Sequence, residues 1–572
     1  MAFAAHRVRD SQDPIAILDA VRRAADRIDV FAQAGQVFEP RVTSDLFALL
    51  EPMIHPVRTP RDGLLFHPKV WIVEYADGTA RSYRMLCASR NLTNDRSWDL
   101  VVRLDGTAVA EPVAQSAPLS ALLRALPGMS VAPMPPSRAA RIDALAGAVS
   151  HVEWERPAEV RRLRFHPFGI PGISTPPLRE LFDGIRHGII SPFLSDEGIR
   201  RVVPPRSSAL VVLSRREQLD RLSTDTLSRL SALILDDAAN DDEADDEAGE
   251  ASATPGLERG GALLGLHAKA YVLDRRSGSH VFIGSANATE AGFGGNVELL
   301  VEFEGPQTKF GVDALLGDTC ALRALTVPYE PIGDIAPSTE EEADFRLEQA
   351  VRAFAARRYR CVVTQQQDGS ADPESYDQRY GILVSSDEPT PSTLDLTARV
   401  NLITRPANTG EVPGASVHFE GLALTDLTPF LVIRMTDARG VTASTVVAAT
   451  LEGDIPGRQD AVIARQLADR AAFMKLLALL LALDGGDGDF SFEAAGVGAV
   501  AWGEDGSGLF ETLVKAVGVE HGGLEDVKRI VEHVRAAEAK RPVDSPPVLP
   551  EGFDKLWDAV WEAYARDGGH DG

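Results

Sequence analysis

Two stretches of this sequence, HPKVWIVE at 67–74 and HAKAYVLD at 267–274, share one pattern. Each begins with a histidine, has a lysine two residues later and ends on an acidic residue seven positions after the histidine. Similar segments follow both stretches in the same order: ASRNLT at 88–93 and GSANAT at 284–289, then WDLVVRLDG at 98–106 and VELLVEFEG at 297–305. The period of about 200 residues is too long for a solenoid, whose repeats usually have about 20–50 residues. The sequence therefore predicts two fused homologous halves.

Each motif stretch is rich in valine, isoleucine and aromatic residues, which predicts a β-strand. Residues i and i+2 of a strand face the same side. We therefore expect His67 and Lys69 to project together into a site, and His267 and Lys269 to do the same. Helices are expected between the strands, including one over 217–233.

Further polar residues recur at matched positions in the two halves. Glu74 and Asp274 fall on the opposite strand face from the histidines, so we expect a structural or orienting role for them. Asp99 and Glu298 begin the last strand of each half and could orient a histidine by hydrogen bonding. The turns carry side chains whose hydroxyl and amide donors suit phosphate oxygens: Ser89, Asn91, Ser285 and Asn287.

These motifs resemble those of the phospholipase D superfamily, whose signature is H-x-K-x4-D followed by a G-S-x-N turn. The second copy matches it in full, and the first departs from it at Glu74 and Ala88. The matching positions of the second copy are His267, Lys269, Asp274, Gly284, Ser285 and Asn287. The resemblance covers about residues 15–305, roughly half of the chain.

The resemblance implies a fold and a mechanism. Two α/β/α sandwich halves would pack about a pseudo-twofold axis and bring both His–Lys pairs into one cleft. One histidine would attack phosphorus and the other would act as acid and base, and by similarity to two-motif members we favour His67 as the nucleophile and His267 as the acid/base. The sequence itself does not show which histidine is the nucleophile and which is the acid/base. The lysines, with Asn91 and Asn287, would stabilise the phosphoryl charge, so that no metal ion or cofactor is required.

The predicted organisation has four parts. A first phospholipase D-like half spans 1–155, and a second spans 156–335 with an acidic, disordered insert at 236–256. A connecting helix and a β-rich domain, interpreted as a small β-sandwich, follow at 336–455, and helices dominate 456–572.

Composition narrows the class of protein. The formal net charge of −26 argues against a binder that coats nucleic acid by charge alone, although it leaves room for a local basic groove. The three cysteines are too few for a disulfide framework, and no histidine spacing suggests a metal site. Without an apolar leader or a spanning segment, we expect a cytoplasmic protein.

Three functions are compatible with the paired motifs. The leading hypothesis is a metal-independent nuclease acting on DNA, because residues 156–230 hold thirteen arginines and no lysine against eight acids. Arg200 and Arg201 are the candidate substrate-binding residues. The C-terminal half would couple such a nuclease to a helicase, an ATPase or another DNA-handling partner, as in a bacterial antiphage or restriction system. The alternatives are a cytoplasmic phospholipid hydrolase or transferase and an inactive scaffold, and the oligomeric state is open.

Overall fold

The computed structural model describes residues 21–22, 24–40, 45–61, 63–91, 97–236, 265–366, 379–392, 395–412, 416–467, 469–481, 513–514, 517, 524–539, 546–550 and 552–567. The predicted acidic insert lies outside the described residues, apart from Asp236. The chain folds as a mixed α/β protein with several β-sheets.

The first motif leads into a four-stranded antiparallel sheet. Its strands follow a two-stranded parallel pair, and the bounds are β1 (Val30–Gln33), β2 (Ile54–Val57), β3 (Val70–Asp77), β4 (Ala80–Ala88), β5 (Val101–Ala108) and β6 (Val152–Trp154). Along β4, the buried side chains of Tyr83, Met85 and Cys87 alternate with less buried ones, because successive side chains of a strand point to opposite faces. The buried face packs against the helices α1 (Ala117–Met129) and α2 (Pro136–Val149).

The second motif lies in the middle of an eight-stranded mixed sheet. Its strands are β7 (Arg162–Phe168), β8 (Arg186–Ile190), β9 (Ala209–Leu213), β10 (Ser231–Leu235), β11 (Ala270–Arg275), β12 (Gly278–Gly284), β13 (Glu298–Gly305) and β14 (Thr326–Pro328). The strand order is β14-β10-β9-β8-β11-β12-β13-β7, with β8, β9 and β10 parallel to one another. Short helices connect these strands: α3 (Leu178–Leu181), α4 (Asp196–Val202), α5 (Arg216–Leu219), α6 (Thr224–Leu227), α7 (Glu290–Gly294), α8 (Gln307–Phe310), α9 (Val312–Leu316) and a 3-10 turn at Ala321–Leu325.

One hydrophobic core joins the two sheets. Leu299, Val301 and Phe303 of β13 are buried in the same cluster as Met85 and Leu104 of the first sheet. Leu300, which points to the other face of β13, belongs to a second cluster within the eight-stranded half. Strand β13 is therefore covered on both faces, which explains its run of apolar residues at 299–301 and the apolar residue at 303.

The single helix predicted over 217–233 is wrong. The structure has two four-residue helices, α5 and α6, and then strand β10. Ser223 interrupts the first helix because its side chain accepts a hydrogen bond from the Thr226 amide and caps the second helix. The Ser223 hydroxyl in turn donates to Asp196 at 2.8 Å, and this tertiary contact overrides the helical periodicity of the sequence.

The C-terminal half combines two four-stranded sheets with helices. Helix α10 (Thr339–Ala355) begins at a capping box formed by Ser338 and Glu341. The strands that follow are β15 (Arg360–Gln366), β16 (Arg379–Ser385), β17 (Thr397–Leu402), β18 (Gly410–Glu411), β19 (Val417–Leu422), β20 (Phe430–Thr436), β21 (Thr442–Ala448) and β22 (Thr450–Glu452), with a 3-10 turn at Leu424–Asp426. The sheets, β19-β16-β15-β22 and β18-β17-β20-β21, share one hydrophobic cluster with α10.

The last described elements are helices that pack on one another. They are α11 (Arg458–Gln466), α12 (Arg470–Leu481), α13 (Leu524–Glu538) and α14 (Phe553–Asp567). In the described parts of the chain, every helix is too short or too polar to pass through a lipid bilayer.

The segment before the first motif also packs against this C-terminal half. Leu49, in a 3-10 turn at Asp45–Leu49, is buried among the C-terminal helices, and Ala34 is buried in the core of the two four-stranded sheets. An ion pair reinforces the contact, since the Arg458 guanidinium binds the Glu51 carboxylate at 2.7 Å with both side chains about 5% exposed. The domain boundaries stay predictions, but this packing ties residues 30–57 to elements some 400 positions away.

We expect Arg458→Met to lower the free energy of unfolding by about 3–5 kcal/mol, because Glu51 would remain buried without its cation. The double variant Glu51→Gln/Arg458→Met removes both charges and should lose less. Urea-induced unfolding followed by tryptophan fluorescence measures both variants against the parent chain. A single variant as stable as the parent would show that the ion pair does not hold these segments together.

Candidate active site

The backbone joins the two halves directly beside both histidines. Phe66, the residue before the first histidine, forms a parallel bridge with Val297, and Leu266, the residue before the second, forms a parallel bridge with Trp98. Val297 and Trp98 each precede the acidic residue of a last strand. In both directions, the residue before the histidine of one half pairs with the residue before the acid of the other half.

The backbone amides of the two histidines form further hydrogen bonds between the halves. The His67 amide donates to the Val297 carbonyl and the His267 amide donates to the Trp98 carbonyl, each with an N–O distance of 2.8 Å. Main-chain hydrogen bonds hold their donors and acceptors in narrow geometry. We call these paired segments, 66–67 with 297 and 266–267 with 98, the seam between the halves. The seam fixes the main chain of both motif histidines.

In each half, the turn serine is bonded to the last-strand acid. The Ser89 hydroxyl donates to Asp99, and the Ser285 hydroxyl donates to Glu298. The backbone amide that follows each acid donates to the same serine oxygen at 3.0 Å in both halves. Both serines are fully buried. Because their hydroxyl protons are already donated, these serines position the acids rather than offering a proton to a phosphate oxygen.

Glu298 crosses the seam and holds the histidine of the other half. The His67 Nδ1 lies 3.1 and 3.0 Å from the two Glu298 carboxylate oxygens, and the Asn296 amide donates to the same carboxylate at 3.3 Å. Burial alone would raise the pKa of Glu298, but its contact with the His67 imidazole, the charge of Lys69 and the hydrogen bond from Ser285 hold that pKa below its usual range. Glu298 is therefore ionised and accepts the Nδ1–H of His67. A neutral imidazole carries one proton, so this tautomer leaves the Nε2 lone pair available.

The two lysines are buried at the same place. The Lys69 ammonium donates to the His67 carbonyl at 2.9 Å, and the Lys269 ammonium donates to the His267 carbonyl at 3.0 Å. Lys269 also crosses to the first half, where it donates to the Ser89 carbonyl at 2.9 Å. The two lysines are thus bonded to the main chain of both histidines, and Lys269 joins the two halves.

Burial at the seam favours the neutral forms of the basic side chains by lowering their pKa values. Burial lowers the pKa of Lys69 to about 8, against the attraction of Glu298. Burial together with the nearby Lys69 charge lowers the pKa of Lys269 to about 7. Burial also lowers the pKa of His67, and both lysine charges add to the effect while Glu298 opposes it. His67 is therefore a neutral imidazole at neutral pH, placed between the Glu298 carboxylate and two lysines whose pKa values lie near neutrality.

The two predicted asparagines lie at the ends of the polar turns. Asn91 is exposed, at the last described position before residue 97. The Asn287 side chain is half-buried, and its Oδ1 atom has no hydrogen-bond partner among the described residues. Their predicted part in stabilising phosphoryl charge stays a prediction.

The structure gives Glu74 and Asp274 local partners. Glu74 forms a surface ion pair with Arg81 at 3.1 Å. Asp274 is buried and accepts hydrogen bonds from the Ser279 hydroxyl at 2.6 Å and the Val312 amide at 3.1 Å. The predicted structural or orienting role of these two acids stays a prediction.

The predicted substrate-binding arginines lie on helix α4. Arg200, which is largely exposed, pairs with Glu197 at 3.1 Å, and Arg201 pairs with Glu197 at 3.3 Å and with Glu290 at 3.4 Å. Their ion-pair partners are thus surface acids rather than residues of the seam. Substrate binding by either arginine stays a prediction.

Several residues of the site were not predicted from the sequence. Asn296 bonds Glu298 and also accepts the Leu65 amide at 2.9 Å, so it supports both the acid and the strand that leads to His67. Gln33 accepts the amide of Phe66 from a segment far outside the motifs. Asn296 could have been found from its place two residues before Glu298, whereas nothing in the sequence links Gln33 to the site.

This arrangement can perform nucleophilic chemistry on an anion. A neutral imidazole fixed at Nδ1 presents its Nε2 as a nucleophile, and buried ammonium groups attract and stabilise negative charge. Within the described residues, no group of three or more histidine, cysteine or acidic side chains is arranged to hold a metal ion.

Comparisons with known proteins give only weak likenesses. No protein-family model matches the sequence, and no curated protein matches it. Among solved structures, polyphosphate kinase from Porphyromonas gingivalis is matched with a TM-score of 0.32 and 15% identity, over 59% of this chain and 47% of that chain. Yeast tyrosyl-DNA phosphodiesterase is matched with a TM-score of 0.30 and 14% identity, over 48% of this chain and 77% of that chain. At these TM-scores neither likeness decides a function, and the chain spans less than half of the length of the kinase.

Proposed function

We propose that this chain, in which two His–Lys pairs of the phospholipase D type meet at one seam, is a phosphodiesterase that works through a phosphohistidine. The observation that carries the proposal is the contact of His67 Nδ1 with the fully buried Glu298 of the other half, beside two buried lysines. We further propose that the halves are related by a pseudo-twofold axis. The contacts that bring the two motifs together support the predicted resemblance to the phospholipase D superfamily.

In the first step, Nε2 of His67 attacks the phosphorus atom of a diester and forms a P–N bond. The P–O bond to the leaving group breaks, and His267 protonates the departing oxygen. The Nδ1–H of His67 stays hydrogen-bonded to Glu298, which stabilises the positive charge that the imidazole gains.

In the second step, His267 removes a proton from a water molecule, and the water oxygen attacks phosphorus. The P–N bond breaks, His67 returns to its neutral form, and a phosphomonoester leaves. Lys69 and Lys269, with Asn91 and Asn287, stabilise the charge on the non-bridging oxygens in both steps, a task that other enzymes give to metal ions.

We propose DNA as the substrate, with the chain acting as an endonuclease and as the nuclease subunit of a bacterial defence or DNA-processing system. The support is an arginine of the segment 156–230 that lies beside the second motif, Arg215, whose Nε donates to the Leu266 carbonyl at 2.9 Å. A protein partner such as a helicase or ATPase would bind through the C-terminal half. The cytoplasm is the proposed compartment.

Hydrolysis of single- or double-stranded DNA is expected to persist in excess EDTA, because the proposed chemistry uses histidine and lysine only. His67→Ala and His267→Ala should each lower the rate by at least about 10³-fold, since each removes a group that makes or breaks a bond. Glu74→Gln is the matched control, because Glu74 belongs to the motif but pairs with Arg81 on the surface. The rate is measured by gel analysis of end-labelled DNA. Release of choline or ethanolamine from vesicles without any cleavage of DNA would favour a phospholipid substrate instead.

A diester with a p-nitrophenolate leaving group separates the roles of the two histidines. This leaving group needs no proton, so His267→Ala should still form the phosphohistidine and then stall, and should release about one equivalent of p-nitrophenol in a burst. His67→Ala should give no burst. Stopped-flow absorbance at the p-nitrophenolate band measures both. A burst from His67→Ala and none from His267→Ala would reverse the assigned roles.

The value of kcat/KM is expected to be bell-shaped in pH. It should rise as His67 loses its proton, below the usual imidazole pKa of 6.5, because only the neutral imidazole attacks. It should fall as the pH passes about 7 and then about 8, where Lys269 and Lys69 lose the charges that stabilise the phosphoryl oxygens. Initial rates with a p-nitrophenyl diester from pH 5 to 9 give the profile. A steady increase up to pH 9 would contradict a role for charged lysines.

A further inference from the structure

Most of the arginines that favoured a nucleic-acid substrate are engaged in ion pairs on the surface. Arg164 binds Glu302 at 3.0 Å, and Arg186 and Arg206 bind Asp313 and Asp183. Exposed pairs of this kind leave little net positive charge for a phosphate backbone. Positive charge available to a nucleic-acid backbone therefore has to lie closer to the seam.

Arg215 stands out because it is bonded to the main chain beside the second histidine. Its Nε atom donates to the carbonyl of Leu266 at 2.9 Å, one residue before His267. Its charge is one of those that lower the pKa of Lys269. Arg215 thus borders the proposed catalytic groups on the side of the second half.

The guanidinium of Arg215 lies over the ring of Phe193, 5.0 Å from the ring centroid. Phe193 is 39% exposed, so part of its ring is open to solvent. A cation over an aromatic face holds the ring in place by attraction to its π-electrons. The pair therefore holds a partly exposed aromatic ring in place, with a positive charge over one of its faces.

The main chain on both sides of Phe193 is bonded to the turn that carries Asn287. The Ser191 hydroxyl donates to the Phe193 carbonyl at 2.6 Å and accepts the Ala288 amide at 3.0 Å, and Leu194 forms a parallel bridge with Ala288. The Phe193–Arg215 pair is thus fixed between the segment before His267 and the turn after Ser285. Both of these elements adjoin predicted site residues, His267 in one and Asn287 in the other.

We infer that Phe193 and Arg215 form a nucleotide subsite of the proposed phosphodiesterase, in which the ring stacks on a base next to the scissile phosphate and the guanidinium contacts the neighbouring phosphate. This inference rests on the proposed function and gives it a substrate class. Every base has a π-face, so stacking on an aromatic ring is tolerant of sequence and suits a single strand or an unpaired end. The glycerol and head group of a phospholipid offer no flat face for such a surface.

Two small substrates with the same leaving group test the subsite in the full chain. Thymidine 5′-(p-nitrophenyl phosphate) carries a base, and methyl p-nitrophenyl phosphate does not. The ratio of their kcat/KM values measures what the nucleoside contributes. We expect Phe193→Ala and Phe193→Leu to lower this ratio about tenfold or more, and Phe193→Trp to keep it, since only the indole restores a flat face.

Tyr75→Ala is the matched control. Tyr75 is also exposed and also carries an arginine, Arg84, 5.7 Å from its ring centroid, but it lies near the far end of β3. The ratio should not change in this variant. Arg215→Gln should raise KM for a single-stranded oligonucleotide and weaken the dependence of KM on salt, because one phosphate contact is lost.

The outcomes separate the subsite from the proposed function. A parent chain that hydrolyses both substrates, but whose ratio is unchanged in Phe193→Ala, overturns the subsite and leaves the phosphodiesterase. A parent chain that hydrolyses neither, or that is unaffected by His67→Ala, overturns the proposed function itself. Hydrolysis of phosphatidylcholine vesicles in preference to the thymidine substrate also overturns the subsite.

Discussion

The site depends on one buried carboxylate that crosses between the halves. Glu298 is fully buried, and an ionised carboxylate without partners would be costly there. His67 of the other half, Ser285 and Asn296 supply those partners. Neither half can satisfy this group alone, because the acid begins β13 while the imidazole precedes β3. The contact that orients His67 therefore forms only when the two halves come together.

The backbone bridges explain how this contact is made without strain. Because Phe66 pairs with Val297, the next residues along the two segments, His67 and Glu298, are brought side by side. The bridge between Leu266 and Trp98 places His267 next to Asp99 by the same rule. The two acids differ by one methylene, and each is bonded to the serine of its own half. The pairing of the main chain thus brings the backbone of both histidines to the seam between the halves.

Much of the site could be predicted from the sequence because its elements are local. The offset of two residues between His67 and Lys69 follows from strand geometry, and the duplication shows that the second pair is its counterpart. The crossing of Glu298 to His67 was not predictable, since the two residues are 231 positions apart and only the assembled seam brings them together. For the same reason the sequence could not show that Gln33 supports the strand before His67.

Attraction of a phosphate to this protein depends on charges close to the site and not on the net charge of the chain. With a net charge of −26, the chain repels a polyanion at long range, although salt limits that repulsion to about 8–10 Å. Ion pairs such as Arg164–Glu302 also turn a local excess of arginine into a nearly neutral surface. Attraction therefore has to come from groups within a few ångströms of the phosphate, namely the two buried lysines and Arg215. A substrate that also offers a flat base to Phe193 would gain a contact that does not depend on charge, and this distinguishes a nucleic acid from other diesters in such an acidic protein.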